Sequence, residues 1–180
     1  MTFDSAHAFL RDHGAESIEH PGGTLYAHLC RVEQRLAALG TATYVRLAGL
    51  THATYGTDGF DRALIDRADR ASLRAVVGDE AENLVYLYGA CDRDRTWPDL
   101  AASATVHDRF TGHATVLAAD QIVPFVDLSI VNELDVIERN PAMLDKHGDY
   151  FHDLFTRWAP ATSPAIAGDV RRTMAMTERR

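Results

Sequence analysis

The sequence predicts an all-α fold: a single-domain bundle of seven to nine helices over residues 1–180, with one small β-hairpin near 108–118. Apolar residues recur every three or four positions through most of the chain, which is the period of helices with one buried face. Glycine and proline separate these periodic segments, and the stretch 105–118 is the least helical part. A chain of 180 residues has the size of one domain with a sizeable core.

In the first half of the chain, glycines divide the helices. The clearest segment carries Leu25, Leu29, Val32 and Leu36 at helical spacing and stops before Gly40, a residue that favours a helix end. By the same reasoning, the predicted helices of this half cover 3–12, 24–39, 42–52, one or two segments within 61–77, and 79–88.

The second half opens with an interruption of the pattern at Trp97–Pro98. The stretch from Phe110 to Leu117 is then typical of a small hairpin. A long helix follows over 119–139, with Pro124 tolerable only near its start, and Asn140–Pro141 ends it. Two further helices are predicted near 147–158 and 165–176.

Composition and charge exclude several classes of protein. The net charge of −8 argues against nucleic-acid binding through phosphate contacts. No apolar run approaches the 18 residues of a membrane span, and the N-terminus lacks the parts of a secretory signal. Cys30 and Cys91 have no metal or redox spacing, so they are interpreted as reduced thiols of a cytoplasmic protein. A homodimer stays open, although no apolar seam argues for one.

Three of the nine histidines, His20, His28 and His52, adjoin positions that the pattern assigns to the core. His28 lies on the apolar face of the helix at 24–39, and His52 follows the apolar segment 47–50. A buried imidazole needs partners for both ring nitrogens. The pair is therefore either hydrogen-bonded inside the core or engaged in metal ligation or acid–base chemistry.

The helix at 119–139 places a carboxylate, Asp127, in a stripe of apolar residues. An unpaired buried carboxylate is costly, so Asp127 must be neutralised, hydrogen-bonded or bound to a cation. The structural alternative is a bond to an arginine or a backbone amide. Asn132 and Glu133 lie on the same helix, and Glu133 could take the place of Asp127.

Two polar segments supply further candidates. The turn after His52 contains Tyr55 and Asp58, and a charge cluster contains Asp92, Arg93 and Arg95. Tyr55, Asp58 and Asp92 are candidate proton donors or acceptors, and the arginines are candidates for binding an anionic group. The structural alternatives are a helix cap in the turn and a solvated helix end in the cluster.

These motifs resemble the HD-domain superfamily, helical proteins that bind a divalent metal through a His, a His-Asp pair and a distant Asp. Within it, the likeness is to the alarmone hydrolase domain of stringent-response enzymes, with Tyr26 and His28 near its first motif and Ala48–His52 on its second. The chain also resembles an uncharacterised HD-like group with the patterns H-x-G-G-T-L-x-x-H-L and A-G-L-x-H-x-x-Y-G-T. The resemblance covers residues 20–135 and implies the metal ligands His28, His52 and Asp127.

The chain also departs from the family. Ala53 replaces the acid of the His-Asp pair, and Gly56 and Thr57 stand where the alarmone hydrolases carry a catalytic Glu-Asp pair. Those carboxylates hold the metal and activate water in the family. Alarmone hydrolysis itself is therefore not expected here.

Three hypotheses of function result, each with a small polar or anionic metabolite as the partner. In the leading one, His28, His52 and Asp127 bind Zn²⁺ or Mn²⁺ for hydrolysis, with His20 as a fourth ligand or a base and Asp58 or Asp92 as the general base. In the second, the same ligands hold Fe²⁺ in a non-haem oxygenase.

The third hypothesis contains no metal. The three histidines and Tyr55 would then form an acid–base or ligand-binding pocket, with Arg93 or Arg95 on an anionic end of the ligand. The missing acid at position 53 favours this hypothesis, because that residue anchors the ion in the family.

Overall fold

The structure is a computed structural model that describes residues 2–177, and it confirms the all-α prediction. Within that range 67% of the chain is helical, in ten α-helices with two small antiparallel sheets of two strands. The helices are α1 (Phe3–Asp12), α2 (Leu25–Ala38), α3 (Thr43–Thr51), α4 (Arg70–Val77), α5 (Asp79–Ala90), α6 (Arg93–Thr96), α7 (Leu100–Ser103), α8 (Ala119–Arg139), α9 (Pro141–Trp158) and α10 (Pro164–Thr177). The strands are β1 (Glu19–His20), β2 (Gly23–Thr24), β3 (Thr105–His107) and β4 (Ala114–Val116).

The segment 61–69 is the main departure from the predicted helices. It is not helical, because its backbone is bonded elsewhere: the Leu64 and Ile65 N–H groups both donate to the carbonyl of Thr54. Helix α4 then begins at Arg70, where the Asp69 side chain accepts from the Ser72 N–H and caps the helix. The prediction of one or two helices across 61–77 is therefore right only for its second half.

Helix α9 begins six residues before its predicted start, because Pro141 occupies the first helical turn, where a missing N–H costs nothing. The proline that ends α8 therefore also begins α9.

The predicted hairpin is present, but its first strand lies earlier than expected. Strand β3 pairs with β4 in antiparallel register, with Val106 opposite Thr115. The Asp108 side chain closes the connecting loop by accepting from the N–H groups of Phe110 and Thr111. A second, shorter hairpin, β1–β2, was not predicted, since two-residue strands carry no detectable alternation.

Helix α8 is the centre of the bundle. Every residue from Phe125 to Asp135 is buried, and α2, α3, α5, α9 and α10 all pack against this helix. Fully burying one large apolar side chain contributes about 1.5–3 kcal/mol, so the apolar residues of α8 are a large part of the stabilisation of the fold. The same burial brings Asn132, Glu133 and Asp135 into the interior.

Helices α2 and α3 pack closely, and Gly49 allows the approach. A Cβ atom at Gly49 would lie 2.3 Å from Leu36 Cδ1, so no larger residue fits there without displacement. This contact sets His28 on α2 beside His52, which follows the last residue of α3. Across residues 2–177, no helix is both long and apolar enough to span a membrane.

Candidate functional site

His28 is held in one orientation by a buried ion pair. Its Nδ1 donates to Asp135 Oδ2 at 2.7 Å, and Arg31 donates to both Asp135 oxygens at 2.7 and 2.9 Å. Burial raises the pKa of Asp135, but the hydrogen bonds from His28 and Arg31 outweigh it and hold that pKa well below its usual range. Asp135 is therefore a carboxylate that keeps the proton of His28 on Nδ1. The other ring nitrogen, Nε2, faces away from the Asp135–Arg31 ion pair.

His52 is oriented by the backbone of its own helix. Its Nδ1 donates to the Gly49 carbonyl at 2.8 Å, since a carbonyl oxygen can only accept. Burial, together with the nearby His28, lowers the pKa of His52 to about 3. At neutral pH the ring is uncharged, and its Nε2 carries an unshared electron pair.

The two imidazoles and an amide converge on one point. The Nε2 atoms of His28 and His52 lie 3.4 Å apart, and Asn132 Oδ1 lies 3.0 Å from His28 Nε2. The Asn132 amide is fixed because its Nδ2 donates to Glu133 Oε1 at 2.9 Å, and Arg93 Nη1 donates to the same oxygen at 2.9 Å. The orientation of the Asn132 oxygen toward the histidines is therefore set by an ion pair.

These groups open onto a cavity of about 220 Å³. Its other walls are formed by His20, Ala53, Asp58, Phe60 and Met143, with Arg93 and Glu133 beside the histidines. The His20 ring stacks on His28 at 4.1 Å between centroids, and its buried Nδ1 has no hydrogen-bond partner. Burial, with the neighbouring His28, lowers the pKa of His20 to about 4.

The structure brings five of the nine candidate residues into this cavity: His20, His28, His52, Asp58 and Arg93. Arg93 is already engaged, since its terminal nitrogens donate to Glu133 and to the Tyr88 hydroxyl.

Three candidates lie elsewhere, and each has a structural task. The Tyr55 hydroxyl donates to Glu82 at 2.8 Å on the side of α5. Asp92 caps α6 by accepting from the Arg95 N–H, and Arg95 itself is exposed. The predicted catalytic roles of Tyr55 and Asp92 and the predicted anion-binding role of Arg95 therefore do not fit this geometry.

Asp127 is also absent from the histidine cavity, so its prediction as the third metal ligand needs correction. Five helical residues correspond to about 500° of rotation, which turns Asp127 about 140° from Asn132 on the surface of α8. It accepts instead from the Ser163 N–H at 3.0 Å, beside the start of α10. Asp127 therefore has the structural role that the sequence analysis gave as the alternative to metal binding, a hydrogen bond from a backbone amide.

The residues that sequence reasoning missed are Asn132 and Asp135. The sequence pattern places Asn132 only on the same helix as Asp127, and it gives Asp135 no role. The available signal was a cluster of three polar residues, Asn132, Glu133 and Asp135, in an otherwise apolar helix.

A metal at this site would need the Asn132 amide oxygen. Within residues 2–177, no group of three or more His, Cys, Asp or Glu side chains is arranged to hold a metal ion. Ala53 lines the cavity, so the residue that follows His52 supplies no carboxylate to this site.

Comparison with known proteins gives one partial match. Residues 9–93, slightly less than half of the chain, match the model of a family described as a domain of unknown function (DUF6817). The matched segment includes His20, His28 and His52 but none of α8. Neither the curated proteins nor the solved structures include a match to this chain.

Proposed function

We propose that this protein is an enzyme that binds one divalent metal ion through His28, His52 and Asn132 and hydrolyses a small polar metabolite in the adjoining cavity. The observation that carries the proposal is the convergence of two buried Nε2 atoms, 3.4 Å apart, whose Nδ1 atoms are both engaged in hydrogen bonds. We further propose a distant relationship to HD domains and a cytoplasmic location, with both cysteines as free thiols.

The donor set supports a metal ion. Two nitrogen ligands about 2.0–2.1 Å from a tetrahedral zinc ion lie about 3.3 Å apart, close to the observed separation. Metal-binding histidines usually donate their second nitrogen to a carboxylate or carbonyl, as His28 and His52 do to Asp135 and Gly49. Three neutral ligands leave positions for water and substrate.

The remaining groups support hydrolysis as the reaction class. A divalent ion at this site would lower the pKa of a water molecule toward neutrality. Asp58 is one cavity carboxylate that can accept a proton, because its Oδ2 accepts from the Arg93 N–H at 2.8 Å and its Oδ1 is free of hydrogen bonds from the described residues. The unpartnered Nδ1 of His20 can accept or donate a second proton.

A metal-free acid–base or ligand-binding pocket is the second candidate. It is favoured by the Asn132 oxygen, which at 3.0 Å can accept a hydrogen bond from a protonated His28 Nε2. The absence of a carboxylate at Ala53 favours it as well.

Elemental analysis of protein purified without chelator or an affinity metal tests the proposal first. We expect about one equivalent of zinc or manganese, and its loss in His28→Ala and His52→Ala, because each variant removes one of three ligands. The matched control is His113→Ala, which removes an exposed histidine from the β3–β4 loop. Circular dichroism checks that all three variants stay helical.

Each other result has a defined meaning. Full metal occupancy in either ligand variant removes that residue from the site. Iron in place of zinc or manganese supports the oxygenase hypothesis. No metal, together with no thermal shift on adding any, contradicts the proposal and supports the metal-free pocket.

A further inference from the structure

Two carboxylates face the histidine cavity, and each has one free oxygen. Asp58 uses Oδ2 to accept from the Arg93 N–H, and Glu133 uses Oε1 to accept from Arg93 and Asn132. Among the residues that the structure describes, Asp58 Oδ1 and Glu133 Oε2 have no hydrogen-bond partner. The cavity wall therefore offers two acceptors to a ligand.

The positive charge of this wall is already neutralised. Arg93 is the one arginine or lysine among the described residues that line the cavity. Its backbone N–H binds Asp58, one terminal nitrogen binds Glu133 and the other binds the Tyr88 hydroxyl. The guanidinium also lies over the Trp97 ring at 4.6 Å. Asp58, Glu133 and Arg93 together give this part of the lining a net charge of −1.

This arrangement is unsuited to an anion. Phosphate and carboxylate sites present guanidinium or ammonium groups whose N–H donors are free for the ligand. Here an anion would enter a narrow space beside two carboxylates, where like charges repel more strongly than in water. A metal ion would add positive charge only at the histidine end of the cavity, and the wall formed by Asp58 and Glu133 would remain negatively charged.

We infer, building on the proposed function, that the substrate is a small uncharged or cationic molecule whose hydroxyl, amino or ammonium groups donate to Asp58 and Glu133, and that this wall binds no phosphate group. The cavity of about 220 Å³ is below the usual range for drug-sized ligands, about 300–1,000 Å³, so a compound smaller than a nucleotide is expected. The sequence predicted that Arg93 binds an anionic group, whereas this inference assigns ligand binding to two hydrogen-bond acceptors, Asp58 and Glu133.

Ethanolamine and inorganic phosphate are suitable probes, since they are small and differ in charge. The full chain is treated with chelator, so that a metal does not hold phosphate, and is titrated with each probe while the imidazole NMR signals of His20 are followed. We expect ethanolamine to shift the His20 signals saturably and phosphate to leave them unchanged.

The substitution Asp58→Asn tests the assignment, because it keeps the shape of the side chain and removes its charge. We expect it to weaken ethanolamine binding at least fivefold. The control, Asp92→Asn, makes the same chemical change one residue from Arg93 but outside the cavity, and should bind ethanolamine as the unmodified chain does.

Phosphate binding at His20 as tight as ethanolamine binding, or no shift with either probe, would overturn the inference. Equal losses of affinity in the two variants would also overturn it. The metal analysis is a separate measurement: selectivity for ethanolamine in a chain that binds no metal contradicts the proposed hydrolase and supports the charge preference.

Discussion

Asp127 and Asp135 are two aspartates of one helix with opposite environments. Asp135 accepts from His28 and Arg31 and stays ionised. Burial raises the pKa of Asp127, and the hydrogen bond from Ser163 only partly counters that effect. The position of each carboxylate around α8, rather than its residue type, therefore decides whether it belongs to the site.

The substitution Asp127→Ala should destabilise the protein without affecting the metal. It leaves the half-buried Ser163 N–H at the start of α10 without its acceptor, a loss of about 1 kcal/mol. Asp127→Asn keeps an acceptor oxygen and should lose less than Asp127→Ala. Urea unfolding measures both, and metal loss in Asp127→Asn at unchanged stability would return this residue to the list of ligands.

At the scale of the element, the site depends on the closeness of α2 and α3. Gly49 provides the close approach, and its carbonyl also orients His52. One backbone position therefore links the packing of two helices to the geometry of the two imidazoles.

Gly49→Ala should destabilise the protein by about 1–3 kcal/mol, because the added methyl group overlaps the fully buried Leu36. Metal affinity or the imidazole NMR shifts of His52 should change with it. Gly168→Ala in α10 is the control: its Cβ meets only ordinary contacts at 3.5 and 3.8 Å, so it should be neutral or stabilising. Equal stability of the two variants in urea would contradict this account of the α2–α3 contact.

The helical elements were predictable because apolar spacing and glycine ends act locally. The predicted long helix over 119–139 coincides with α8, and the prediction of 3–12 coincides with α1. The segment 61–69 could not be predicted, because its backbone bonds to Thr54 depend on how the chain folds back on α3. Short β1–β2 pairing likewise depends on its surroundings rather than on residue pattern.

At the scale of the whole molecule, the site joins residues that are far apart in the chain. His28 and Asp135 are separated by 107 positions, and His28 and Asn132 by 104. Periodicity could nominate His28 and His52 as core-facing, but it could not tell which polar residue of a fully buried α8 turns toward them. The error at Asp127 arose there, since every residue of α8 from Phe125 to Asp135 is buried.

The stability of the whole molecule toward acid depends in part on the charge of Glu82. This fully buried carboxylate of α5 accepts from Arg70, Arg74 and Tyr55 and so ties α4 and the loop after α3 to the bundle. Burial raises its pKa, but the hydrogen bonds and charges of Arg70, Tyr55 and Arg74 prevail and leave the pKa below the usual 4.5. Because the folded-state pKa is the lower one, the stabilisation is complete above about pH 4.5 and is lost as the pH falls through the folded value.

Glu82→Gln should therefore unfold at lower urea concentration than the unmodified protein at pH 7. We expect its free energy of unfolding to be lower by about 2 kcal/mol, and the loss is no larger because Arg70 and Arg74 are partly exposed and can be rehydrated. The difference between the two proteins should shrink as the pH falls below 4.5, because acid removes the same charge from Glu82. Glu80→Gln, an exposed change on the same helix, should show neither effect. A difference that stays constant with pH would mean that Glu82 stabilises the protein through its shape and not through its charge.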